Sequence, residues 1–138
     1  MYLSKDQILK VTDLQYEDIE CPEWNGIVRV RGLTAREWDD FEAGTLKSPG
    51  MGEGVNLANY RARLCVKGMV DEVGQPLFND SDLQSLSRKS SAPIKRIFSA
   101  IRRLSGKDEE EQKAIEKNLS NGPINGSIIG LPSLSDAL

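Results

Sequence analysis

Apolar residues recur at helical spacing most clearly in the last third of the chain. Ile94, Ile97, Phe98, Ile101 and Leu104 fall at i, i+3, i+4, i+7 and i+10, one stripe of an amphipathic helix. Arg88 to Pro93 opens this helix, proline being tolerated in a first turn, and Gly106 is its stop. Earlier, Leu57, Tyr60, Leu64 and Val66 to Met69 give the apolar side of a helix predicted over 57–70, with Asn59, Arg61, Arg63 and Lys67 facing out. Trp38 and Phe41 mark a third helix, predicted from Thr34 to about Leu46. A short first helix begins at Ser4 and ends by Asp13, and another runs from Asn79 or Asp80 to about Ser87.

The period changes to two around Glu23–Glu42. Ile27 to Arg31 is β-branched, with Val28 and Val30 on one face and Arg29 and Arg31 on the other. Tyr16 to Cys21 alternates more loosely, with Ile19 and Cys21 on one side. Asn25-Gly26 between them predicts an antiparallel hairpin through a two-residue turn in which both residues take positive φ. Gly32 breaks the second strand. Three helix starts carry their own punctuation. Ser4 with Gln7, and Thr34 with Glu37, form capping boxes. Leu3 with Ile8, Leu33 with Trp38, and Phe78 with Leu83 have the spacing of hydrophobic staples. Asp71 to Gly74 is a turn, and Pro76 to Phe78 is a short extended segment.

The predicted fold is therefore α+β, a mainly helical single domain over 1–117 with a small N-terminal antiparallel β-hairpin. A weakly amphipathic, acidic helix from Asp108 to about Lys117 closes the domain. Beyond it, 12 of the last 21 residues are Gly, Pro, Ser or Asn and only Asp136 is charged. That composition predicts a flexible tail over 118–138, with Ile128, Ile129 and Leu131 as apolar spots. Lys47 to Gly54, with three glycines and a proline, reads as a surface loop. It lacks the preceding strand and the Gly-Lys-Ser/Thr ending of a phosphate-cradling loop.

Composition narrows the function classes. The 138 residues are 38% hydrophobic and 28% charged, with a net charge of −3. That charge argues against a general nucleic-acid binder and against a membrane-surface protein. No apolar run approaches the roughly 20 residues a membrane helix needs, and the first ten residues lack a signal-peptide core. A cytosolic protein is expected. The chain has no histidine, and Cys21 and Cys65 lie far apart outside any CxxC pair. Two reduced thiols are expected, with no metal, no cofactor and no enzyme activity. Asp39, Asp40 and Glu42 read as a solvated helix face.

One cluster invites a partner. Arg88, Lys89, Lys95, Arg96, Arg102 and Arg103 occur within sixteen residues that contain no acid. They form a solvated face, a surface for a protein partner or for self-association, or a phosphate-binding face.

The ordered set of short motifs resembles the tail assembly chaperones of long-tailed, siphovirus-type bacteriophages. The resemblance is carried by Leu3 to Leu9, by Pro22-Glu23-Trp24-Asn25-Gly26, by Val28 to Thr34 and by Phe41-Glu42. It continues through Val70 to Phe78, Lys89-Ser90 and Leu104-Ser105-Gly106, spanning roughly residues 3 to 118. It implies a protein made in the bacterial host cytoplasm that binds the tape measure protein and keeps it soluble while tail tube protein polymerises. It implies absence from the mature virion, and in many such phages a ribosomal frameshift near the end of the reading frame, where the 118–138 tail falls here, adds a second domain. Arg88, Lys89, Lys95, Arg96, Arg102 and Arg103, with Ile128, Ile129 and Leu131, are the candidate partner-binding residues. A structural head–tail or tail tube component, and a nucleic-acid-associated regulator, are the rival readings.

Overall fold

The computed structural model describes residues 1–45 and 59–107. The loop expected at 47–54, the helix expected at 108–117 and the tail at 118–138 lie outside the described residues. In chain order the elements are α1 (Lys5–Lys10), β1 (Tyr16–Cys21), β2 (Gly26–Arg31), α2 (Ala35–Thr45), α3 (Tyr60–Gly68), β3 (Met69–Val70), α4 (Leu83–Ser87) and α5 (Ser91–Leu104). The fold is α+β, as the periodicities predict.

Strands β1, β2 and β3 form an antiparallel sheet in that order. Register pairs Ile19 with Val28 and Glu17 with Val30 on one face, and Asp18 with Arg29 and Glu20 with Ile27 on the other. The first face meets the helices. Ile19, Cys21 and Val30 join Trp38 and Phe41 of α2, Leu64 and Cys65 of α3, and Ile94, Ile97, Phe98 and Ile101 of α5 in one core. The α5 stripe is buried at every position expected except Leu104, which is partly exposed. Aromatic rings run through this core as a chain, Trp38 to Phe41 at 5.3 Å, Phe41 to Tyr60 at 5.2 Å and Tyr60 to Phe98 at 5.5 Å between centroids.

The capping chemistry is present as read. Ser4 accepts from the Gln7 amide while the Gln7 side chain accepts from the Ser4 amide. Thr34 and Glu37 do the same at 3.1 and 2.9 Å. Asn79 closes a third box with Asp82. At the end of α5, Gly106 has φ 84°, its amide donates to the Arg103 carbonyl, and the Lys107 amide donates to that of Arg102. This pair of bonds is a Schellman stop.

Three expectations are corrected. The hairpin forms, but not through a two-residue turn. Cys21 pairs with Gly26, so Pro22 to Asn25 make the connection, and Pro22–Trp24 is a single 3₁₀ turn. Proline's fixed φ starts that turn. Only Asn25 then needs the left-handed region, at φ 55°, while Gly26 is an ordinary strand residue. Second, the helix expected over 57–70 ends at Gly68, and Met69 and Val70 leave it to pair with Val30 and Arg29 as a third strand. Gly68 allows the crossing, since a Cβ there would lie 2.5 Å from the Ile101 side chain. Third, Arg61 and Arg63 do not face out. They are half-buried, with guanidinium groups 5.8 Å from the Phe98 centroid and 5.6 Å from that of Phe41. Helix α1, which ends at Lys10, buries no residue, and Leu3 and Ile8 are each more than half exposed.

Candidate partner-binding surfaces

The basic cluster on α5 is built from two kinds of residue. Arg96, Arg102 and Arg103 are bound into the fold. Arg96 donates twice to the Glu23 carboxylate, both bonds at 2.9 Å, and Arg103 donates twice to Glu17, at 2.7 and 3.1 Å. These forks tie the hairpin to the helix across more than seventy residues of chain. Arg96 holds the Glu23 carboxyl down at about 2, and Arg103 lowers that of Glu17. Arg102 is 4% exposed, and its guanidinium lies 5.5 Å from the Trp38 centroid. Lys107 approaches the same ring to 4.9 Å.

Arg88, Lys89 and Lys95 are different. All three are exposed, as Arg96 and Arg103 are, but no acid among the described residues pairs with them. They lie at the start of α5, on the end away from Arg102 and Arg103. Ile128, Ile129 and Leu131 are outside the described residues.

Glu17 and Glu23 were missed by reading basic residues alone. A signal was present for Glu17. It shares a strand face with Ile19 and Cys21, and a carboxylate at a core-facing position calls for a cation opposite it. Glu23 sits in the turn, where alternation says nothing.

The remaining polar chemistry is structural. Arg31, 9% exposed, donates to both oxygens of Glu37, at 2.8 and 2.6 Å, and this pairing holds the Glu37 carboxyl at about 2. Both cysteines are buried and free. Burial pushes the Cys65 thiol up to about 12, which keeps it protonated and unreactive. Among the described residues no helix is long and apolar enough to cross a membrane, and no three metal-capable side chains gather.

No family model matches the chain, and no curated protein does. Among solved structures, the chain is similar to the bacteriophage HK97 tail assembly chaperone. The match has a TM-score of 0.51 at 16% identity and covers 66% of this chain and 85% of the other. At that identity the likeness is one of fold.

Proposed function

We propose that this chain is a tail assembly chaperone of a long-tailed bacteriophage, binding the tape measure protein and keeping it soluble during tail tube polymerisation. The carrying observation is a coincidence of two independent lines. The motif order along residues 3 to 118 resembles this family, and the fold resembles a protein described as the HK97 tail assembly chaperone. The chemistry agrees with binding rather than catalysis. Its thiols are buried, and its perturbed carboxylates are held in ion pairs.

A chaperone for a long, aggregation-prone client needs apolar contact and a release route. Apolar burial supplies affinity at roughly 25 cal/mol per Å², and a charged rim adds encounter rate and salt sensitivity. Arg88, Lys89 and Lys95 are the exposed rim, and Ile128, Ile129 and Leu131 are the apolar contacts. Arg96 and Arg103, exposed but paired to Glu23 and Glu17, and buried Arg102 brace the helix beside that rim. The protein acts in the host cytoplasm and leaves before the virion is complete.

The test is co-purification of the tape measure protein with the wild-type chain and with an Arg88→Glu, Lys89→Glu, Lys95→Glu variant. The variant should keep its melting transition and retain less client. An undiminished complex would remove the rim from the interface. Stoichiometric recovery of the chain from purified virions would overturn the chaperone reading in favour of a structural tail component.

A further inference from the structure

Trp38 sits where the start of α2 meets the end of α5, and two cations share its ring. The Arg102 guanidinium lies 5.5 Å from the ring centroid and the Lys107 ammonium 4.9 Å. The indole is 7% exposed, and its Nε1–H is buried with no acceptor among the described residues. Such a donor gives up its hydration without a return, and cations beside it favour an anionic acceptor. The acids of the described fold do not supply one. Glu37, next to Trp38 in sequence, is committed to Arg31 and to the Thr34 amide. No acid among the described residues pairs with Lys107.

The chain itself brings acids to this corner. The Lys107 amide donates to the Arg102 carbonyl at 3.0 Å, so the backbone leaves α5 folded back over the last helical turn. Ser105 Oγ accepts from the Leu33 amide at 2.9 Å, which holds that exit beside the entry to α2. The next four residues are Asp108, Glu109, Glu110 and Glu111. Their backbone spans at most about 14 Å. The corner at Trp38 is within that span of Lys107. Arg88 and Lys89 are not, because they precede the far end of a helix roughly 20 Å long.

We propose that the acidic run Asp108–Glu111 docks on this corner of its own chain. One carboxylate accepts from Trp38 Nε1, and its neighbours face Arg102 and Lys107. Charge complementarity and the point of exit select this occupant, since four acids begin one residue after the cation that lies on the ring. The contact anchors the chain beyond residue 107 to the α2–α5 corner. Arg88 and Lys89, at the opposite end of α5, stay open to a partner. The inference does not rest on the identity of any client.

Proton–nitrogen NMR of the full chain tests it, with Trp24→Phe identifying the Trp38 indole resonance by elimination. In the wild-type chain the Nε1–H should be protected from solvent exchange, to an extent independent of protein concentration. Replacing the run by Asp108→Ala, Glu109→Ala, Glu110→Ala and Glu111→Ala should speed that exchange by at least about tenfold, the scale of a hydrogen bond to a charged acceptor, and move the resonance upfield. Lys107→Glu should act in the same direction through the other side of the contact. Raised salt should loosen the wild-type indole and leave the alanine variant unchanged. Core resonances should stay in place in both variants, because no buried side chain is replaced. Equal exchange and equal shift in the wild-type and alanine chains would overturn the proposal, including the case in which the corner takes an acidic segment of another protein. Protection that rises with protein concentration would overturn it as well, since the acceptor would then come from a second copy.

Discussion

Replacing Gly32 by alanine would bring a methyl carbon to 2.5 Å from the Leu104 carbonyl oxygen and 2.9 Å from its carbon. Both obstructing atoms are backbone, so no side-chain rotation relieves the clash. The end of α5 would have to retreat by roughly 1 Å, the kind of overpacking that costs about 1–3 kcal/mol. Local bonding resists the retreat. The Gly32 amide donates to the Gln15 carbonyl at 2.9 Å, and the next amide, Leu33, donates to Ser105 Oγ at 2.9 Å. The Schellman stop then fixes the chain immediately beyond Ser105. Gly32 has no positive φ, so contact alone sets the effect. Gly26→Ala is the matched control, since its Cβ would meet nothing nearer than the Trp24 carbonyl oxygen at 3.9 Å. Urea denaturation at 25 °C should place Gly32→Ala about 1–3 kcal/mol below wild type with an unchanged m-value. Gly26→Ala should stay within about 0.5 kcal/mol. Equal stabilities for the two variants would refute the close approach of the hairpin end to α5.

Asn25→Val should cost about 1–2 kcal/mol, because a β-branched residue resists the left-handed region, whereas Asn25→Gly should be nearly neutral by the same denaturation assay. Thr34→Ala should cost about 0.5–2 kcal/mol and leave client co-purification unchanged; lost binding at full stability would put Thr34 in an interface. For Glu37, the ordinary carboxyl value of 4.5 is lowered to about 2 in the fold, so its contribution is full above pH 4.5 and is lost as pH falls toward 2. Partial exposure limits that contribution to about 1 kcal/mol. Glu37→Gln keeps a capping acceptor and should flatten stability against pH in that window; an unchanged acid slope would mean that the ion pair contributes nothing.

Local rules carried much of the fold. The capping boxes at Ser4 and Thr34 and the α5 stripe are short-range features that tertiary packing had no reason to override. The hairpin turn was misread because Asn25-Gly26 carries the same signature whether one residue or two adopt positive φ. The choice was made by Pro22, three positions upstream of Asn25. Strand β3 was hidden because two apolar residues after a helix continue its period, and only pairing with Arg29 and Val30 reveals them as extended. The basic cluster illustrates the limit for sites. Sequence placed six cations together, but not Glu17 and Glu23 opposite two of them, nor the Trp38 ring beneath Arg102. Those contacts join residues across much of the chain, beyond the reach of any local pattern.

The most direct test of the chaperone reading is the soluble fraction of the tape measure protein expressed with and without this chain. Co-expression should move a substantial share of that protein from the pellet to the supernatant, in a complex that contains both chains. A tape measure protein equally insoluble in both cultures, with this chain alone in the supernatant, would contradict the proposed function.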